Sequence, residues 1–186
     1  MAELILASGS PRRRELLETA GLEFRVVIAD VEEIIPQGTA PEEAVMSLAL
    51  RKAQAVAKDY PECTVIGADT VVVHRGMILG KPKSEEDAFE MLKTLSGDTH
   101  TVCTGVAMIN EDKIKNFCEI TEVEFNTLTE DEIRSYVKTG EPMDKAGAYG
   151  IQGRGCVLVK RINGDYFNVV GLPVSKVYRE LGDFDV

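Results

Sequence analysis

The sequence predicts an α/β protein whose mixed, twisted sheet is flanked by helices. Three observations carry that prediction. Apolar, often β-branched runs alternate with amphipathic helical stretches in the order βαβαββαββαββα. The helices are punctuated by Ser, Thr and Pro at their starts and by Gly at their ends. Two turn signals, Arg75-Gly76 and Asn163-Gly164, join neighbouring strands directly, so part of the sheet is antiparallel. The 186 residues suffice for one good core or two small lobes, and with no repeat or linker they read as one domain over 1–186.

Each element has a local reason. A strand over 4–7 leads through Ser8-Gly9-Ser10 into a helix over 12–20, with Ser10 as cap, Pro11 in the first turn and Gly21 as stop. A second strand covers 24–29, followed by the acidic turn Asp30-Val31-Glu32-Glu33. Thr39 and Glu42 form a capping box for a helix running to about Tyr60. Residues 64–74 are a strongly β-branched strand that turns at Arg75-Gly76 into 77–79. Ser84 and Asp87 make another capping box, and Ala88, Met91, Leu92 and Leu95 give a helical stripe stopped by Ser96-Gly97. Long strands cover 101–110 and 114–125 around Glu111-Asp112. Thr129 with Glu132 caps a short helix bearing Ile133, Tyr136 and Val137, ended by Gly140. Residues 141–155 lack periodicity and hold four glycines, the signature of a functional or mobile loop. Strands over 156–162 and 166–170 flank Asn163-Gly164, and 173–181 is the last helix.

Composition narrows the function. At 44% hydrophobic and 28% charged residues, the chain is an ordinary globular one. It has no apolar run long enough to span a bilayer and no basic leader ahead of the first strand, so a cytoplasmic protein without membrane contact is expected. The net charge of −10 argues against general nucleic-acid binding. Cys63, Cys103, Cys118 and Cys156 show no C-x-x-C spacing and read as buried free thiols, and zinc is disfavoured. His74 and His100 are the only histidines, which leaves a Ser-His-Asp or Cys-His mechanism without support.

Several charged residues stand where stability alone would not put them. Arg12, Arg13 and Arg14 occupy the first turn of a helix, where they oppose the dipole; an anion at the turn, such as phosphate, resolves the conflict. Asp69 lies within a nine-residue apolar strand, either as a bulge residue held by backbone or as a metal ligand or general base. Lys52 falls on the apolar stripe of Val45, Leu48, Ala49 and Val56, where it either snorkels or neutralises an anion. Lys81, in Gly80-Lys81-Pro82, is a solvated turn lysine or a second cation for the same anion. Glu33 belongs to a solvated acidic turn or to a Mg²⁺ or Mn²⁺ site. Together these residues suit metal-assisted phosphoanhydride hydrolysis, and the absence of G-x-x-x-x-G-K-[ST] disfavours a P-loop enzyme.

Read in order, the motifs resemble the Maf family of nucleoside triphosphate pyrophosphatases. The match runs from Leu6-Ala7-Ser8-Gly9-Ser10-Pro11-Arg12-Arg13 through Glu33, Lys52-Ala53, Gly67-Ala68-Asp69-Thr70 and Gly80-Lys81-Pro82. It continues through Leu95-Ser96-Gly97, Thr104-Gly105, Gly140-Glu141-Pro142 and the run from Asp144 to Gly153, and closes at Val169-Val170-Gly171-Leu172-Pro173. The resemblance implies a fold of two lobes around a central cleft, like that of inosine triphosphatases. It implies hydrolysis of a nucleoside triphosphate to monophosphate and pyrophosphate with a divalent cation, Mg²⁺ or Mn²⁺. By position it assigns Ser8, Arg13, Lys52 and Lys81 to the triphosphate, and Glu33 and Asp69 to the metal, with Asp69 as proton acceptor. Lys52 and Lys81 also suit neutralisation of the leaving group. Arg12, Thr70 and Gln152 match the branch preferring dTTP and UTP, including modified pyrimidine nucleotides, while another branch prefers 7-methyl-GTP. The family further carries a homodimer and a role in arresting cell division, either beside catalysis or as a non-catalytic septum regulator that binds nucleotide or nucleic acid.

Overall fold

Apolar runs at 4–6, 64–74 and 99–110 become strands that are largely buried, and the acidic or glycine-bearing segments between elements become turns. The structure, a computed structural model, describes residues 2–36, 38–111, 113–184 and 186. In chain order its elements are β1 (Leu4–Leu6), α1 (Pro11–Thr19), β2 (Arg25–Val26), α2 (Pro41–Ala57), β3 (Thr64–His74), β4 (Met77–Leu79) and α3 (Glu85–Leu95). There follow β5 (Thr99–Asn110), β6 (Lys113–Phe125), α4 (Glu130–Val137), β7 (Val159–Asn163), α5 (Tyr166–Val170) and α6 (Val174–Leu181). The seven strands are ordered β2-β1-β3-β5-β6-β7, with β4 paired to β3. β1 runs parallel to both β2 and β3, whereas β3–β4 and β6–β7 are antiparallel, so the sheet is mixed as the sequence predicts.

The chain divides into two compact units: Met1–Thr70 with Thr104–Glu119 and Gly171–Val186, and Val71–Cys103 with Ile120–Val170. In the first, α2 lays Ala49, Ala53 and Val56 against Ile5, Val65, Ala107 and Ile109. The contact is backbone-close. A Cβ on Gly67 would sit 2.3 Å from the Ala49 carbonyl oxygen, and one on Gly105 would sit 2.3 Å from that of Val45. Only glycine fits at both points, and the closeness brings the inward face of α2 onto β3. In the second unit, Ala88, Phe89, Leu92 and Leu95 of α3 pack with Ile133, Tyr136 and Val137 of α4 around Phe125 and Tyr149. The α4 stripe is the one expected from the sequence; in α3, Phe89 joins Ala88, Leu92 and Leu95, while the expected Met91 is only partly buried.

Several expected elements differ. The strand over 24–29 shrinks to two exposed residues at the sheet edge, extended only by the Val27 N–H donating to the Leu6 carbonyl at 3.1 Å. The capping box at Thr39 and Glu42 does not form: Ala40 is the N-cap, Pro41 fixes the first turn, and the Thr39 hydroxyl donates to the Pro36 carbonyl instead. Its helix also stops at Ala57, short of Tyr60. Ser10 caps α1 by backbone geometry without a side-chain bond. The Ser84 hydroxyl accepts from the Asp87 N–H, but the Asp87 carboxylate reaches the Lys83 N–H, one residue earlier than a capping box requires. The Thr129–Glu132 box is complete.

The largest correction lies after residue 140. The loop over 141–155 is built of short 3₁₀ turns, and the strand expected from 156 begins only at Val159, because Cys156 belongs to the turn Arg154–Val157. Residues 166–170 are helical rather than extended. The Asp165 carboxylate accepts from the Phe167 N–H and its carbonyl from the Val169 N–H, which closes a helical turn that the β-branched pair Val169-Val170 disguises. Of the four cysteines, Cys63 and Cys103 are buried, Cys118 is half-buried and Cys156 is exposed, contrary to the reading of all four as buried thiols. The expected turn at Glu111-Asp112 is described only at Glu111, with φ 49°; Asp112 lies outside the described residues.

Candidate active site

Two neighbouring residues of α2 and two stretches of chain build the first part of the site. Lys52, on the stripe facing β3, is 9% exposed. Its Nζ donates to Asp69 Oδ1 at 2.7 Å and to Glu33 Oε1 at 2.6 Å. Asp69, also 9% exposed, is therefore not a bulge aspartate satisfied by backbone alone: it faces a buried ammonium. Glu33 approaches from an exposed segment, and Arg51 fixes that segment. The Arg51 Nη2 donates to the Glu32 carbonyl at 2.6 Å and Nη1 to the Ile34 carbonyl at 3.4 Å, one on each side of Glu33. Adjacent residues of one helix thus hold both the backbone and the carboxylate of the same acidic turn. Nothing in the sequence singles out Arg51 beyond its place beside Lys52.

Arg13 builds the second part. Its Nε donates to the Gly171 carbonyl at 2.8 Å, and Nη1 to the Ala68 carbonyl at 2.9 Å and to the Ser8 hydroxyl at 3.2 Å. Its Nη2 donates to the Thr70 hydroxyl at 3.0 Å. The guanidinium fork therefore straddles Asp69, gripping the residue before it and the residue after it. Burial pulls the Arg13 pKa below its usual value, and the negative charge of Asp69 opposes that pull. Among the described residues, four of the five N–H groups have partners within the fold, which leaves one for a ligand. The Ser8 hydroxyl also accepts from the Ser10 N–H at 3.3 Å, and the Thr70 hydroxyl is 2.9 Å from that of Thr104, a buried strand threonine without a role in the sequence reading.

The structure thus brings together Ser8, Arg13 and Thr70 in one hydrogen-bonded set, and Glu33, Lys52 and Asp69 in another, all within the first unit. Arg12 is half-buried in the first turn of α1. Arg14 is exposed and pairs with Glu18 at 2.8 Å, an ordinary surface contact. Lys81 and Gln152 belong to the second unit, where both are exposed. Pro82, next to Lys81, is buried. Among the described residues no group of three or more His, Cys, Asp or Glu side chains could hold a metal ion, and no helix is long and apolar enough to cross a membrane.

The chain is similar to known proteins over nearly its whole length. A family model described as Maf-like protein matches residues 3–184. The chain is 55% identical over 186 residues to a dTTP/UTP pyrophosphatase of Bacillus thuringiensis subsp. konkukian (strain 97-27), covering all of this chain and 97% of that protein. It is 54% identical, with the same coverage, to the dTTP/UTP pyrophosphatase of Bacillus cereus (strain G9842). Among solved structures, a HAM1 protein from Coxiella burnetii aligns with 98% of this chain and 100% of its own, at a TM-score of 0.53 and 16% identity, a likeness of fold alone.

Proposed function

We propose that this chain, which belongs to the Maf family, is a nucleoside triphosphate pyrophosphatase that cleaves dTTP and UTP to the monophosphate and pyrophosphate. The observation that carries the reading is the buried Lys52 ammonium held between Asp69 and Glu33. A lysine and an aspartate at this depth cost desolvation energy that a hydrophobic pair would avoid, so stability alone does not account for them. A phosphate ester arriving at Lys52 offers the ammonium a second anionic partner. As Nζ turns to it, Asp69 oxygens become available to accept the proton of a water attacking the α-phosphorus. The P–O bond to the β-phosphate breaks, and pyrophosphate leaves with its charge neutralised by Lys52 and Lys81. Ser8 and the remaining N–H of Arg13 would meet phosphate oxygens, and Arg13 would keep Asp69 in register by its grip on Ala68 and Thr70.

The donor set fits a Mg²⁺ or Mn²⁺ ion. Glu33 and Asp69, whose oxygens lie 2.6 and 2.7 Å from the Lys52 Nζ, are the carboxylates that would hold it, since such ions take one or two carboxylates with water and phosphate oxygens completing the shell. When bound, the ion neutralises phosphate charge and acidifies water. Arg12, Thr70 and Gln152 are the residues we assign to base preference, with the Gln152 amide reading a pyrimidine edge. A homodimer and a cytoplasmic location complete the reading on the resemblance alone.

The test is product analysis with dTTP, UTP and 7-methyl-GTP at fixed Mg²⁺ or Mn²⁺. Pyrimidine monophosphate and pyrophosphate in equal amounts are expected. Orthophosphate as the first product would exclude the α–β bond as the target, and faster turnover of 7-methyl-GTP would exclude the pyrimidine assignment. Asp69→Asn should lower kcat by about 10²–10⁴-fold, the usual worth of a general base.

A further inference from the structure

Glu141, of the motif Gly140-Glu141-Pro142, has no part in the chemistry above, yet its carboxylate joins three separated stretches of the second unit. Oε1 accepts from the Tyr136 hydroxyl at 2.9 Å and from the Gly155 N–H at 3.0 Å, and Oε2 accepts from the Arg154 N–H at 2.8 Å. The Tyr136 hydroxyl in turn accepts from the Gly150 N–H at 3.1 Å. The chain is thereby pinned at Gly150 on one side of Gln152 and at Arg154 and Gly155 on the other, while the Gln152 side chain stays exposed.

The packing is as tight as the bonding. A Cβ on Gly153 would lie 2.3 Å from Glu141 Oε2, and one on Gly155 would lie 2.8 Å from the Tyr136 hydroxyl. The glycines are what let carboxylate and phenol lie directly on the backbone. Burial pushes the Glu141 pKa up, but the N–H groups of Gly155 and Arg154 and the Tyr136 hydroxyl outweigh it and hold the carboxylate below its usual range. The group is charged when it accepts these bonds, which strengthens them.

We propose that Glu141, with Tyr136, is a positioning residue for base recognition: it fixes the 150–155 segment so that Gln152 meets the nucleotide base in one conformation. The proposal rests on the reading of Gln152 as a base-contacting residue. A segment fixed before binding loses less entropy on binding, so the clamp acts on affinity for the pyrimidine nucleotide rather than on the bond-breaking step.

The experiment is UTP hydrolysis by Glu141→Ala, Glu141→Gln, Glu141→Asp, Tyr136→Phe and Gln152→Ala, with hydrogen exchange followed in peptides covering 150–155. Glu141→Ala should speed exchange in that segment and raise KM for UTP about tenfold, the equivalent of one charge-assisted hydrogen bond, with kcat little changed. Glu141→Gln keeps the reach and an oxygen at the place that accepts two of the three bonds, so it should retain more than Glu141→Asp, which keeps the charge and loses the reach. A purely electrostatic role would reverse that order and overturn the proposal. Tyr136→Phe keeps the ring in the core and removes two of the four bonds; it should raise KM by a smaller factor, and it carries the test should Glu141→Ala not fold. Combining Glu141→Ala with Gln152→Ala should add little to Gln152→Ala alone. Faster exchange with unchanged KM in Glu141→Ala, while Gln152→Ala raises KM, would overturn the clamp and leave the reading of Gln152 intact. An unchanged KM in Gln152→Ala would instead remove Gln152 from base recognition, and the proposal with it.

Discussion

Replacing Arg13 by alanine separates the role proposed for it, as a ligand for phosphate, from its role as a tie within the fold. The substitution removes four hydrogen bonds, to the Gly171 and Ala68 carbonyls and the Ser8 and Thr70 hydroxyls. The hydroxyls keep other partners, Ser10 for Ser8 and Thr104 for Thr70, so their loss is largely made good. The two carbonyls lose a charged donor each, and a hydrogen bond to a charged group is worth about 1.5 kcal/mol at the low end. The sum is about 3 kcal/mol. For a chain of this length each kcal/mol moves the melting temperature by roughly 2–4 °C, so Arg13→Ala should melt about 6–12 °C lower. Arg13→Lys presents a single nitrogen in place of the fork and should recover at most about half of that. The assay is thermal unfolding at neutral pH, with and without UTP, beside steady-state kinetics. An unchanged melting temperature combined with a raised KM would refute the reasoning, because it would make Arg13 a ligand and not a tie.

Gly67→Ala forces a Cβ to 2.3 Å from the Ala49 carbonyl oxygen and 2.7 Å from the Ala53 nitrogen, so α2 must move off β3. Destabilisation of about 1–3 kcal/mol in urea unfolding is expected, with a loss of activity as Lys52 moves away from Asp69. His100 gives a pH signature. Burial, and to a lesser extent His74, hold its pKa down at about 4 against a usual 6.5. It is therefore neutral in the folded chain, and its contribution is complete above pH 6.5 and lost as the pH falls from there toward 4. At about 1.4 kcal/mol per pKa unit the interval is worth about 3 kcal/mol. His100→Phe, which keeps the ring between Phe125 and Tyr149, should flatten the stability profile over that range in denaturant titrations. Cys156 should react with iodoacetamide well before Cys63 and Cys103 in the native protein, as peptide mass mapping would record.

The fold class was legible because its signals are local. The β-branched run at 64–74, the helical stripe of α3 and the Thr129–Glu132 cap each specify one element without outside help. The failures are also local in appearance but tertiary in cause. Val169-Val170 reads as strand, yet the neighbouring Asn168 side chain is buried with its amide donating to the Val102 carbonyl and the Thr121 hydroxyl, contacts more than forty residues away. Those bonds, with Asp165 closing the turn, select the helix over the intrinsic preference. Thr39 had the right spacing for a capping box, but Pro41 starts the helix one residue later, so Ala40 is the N-cap and Thr39 falls outside it, its hydroxyl donating to the Pro36 carbonyl.

The site divides along the same physical line. Lys52 and Asp69 are readable from the sequence because each breaks a rule of its own element: a cation on an apolar helix face, and a carboxylate inside an apolar strand. A residue that costs stability where it stands is visible without knowing its partner. Arg51 and Glu141 break no such rule. One sits beside a helix stripe and the other in a polar turn, and what they do is bind backbone groups whose positions the sequence pattern does not encode. Residues proposed to meet the ligand are thus marked by local conflict, while those proposed to hold them in place satisfy distant peptide groups and look ordinary. The ordinary-looking charged residues next to a conflicted one, as Arg51 is to Lys52, are therefore where positioning roles should be sought first.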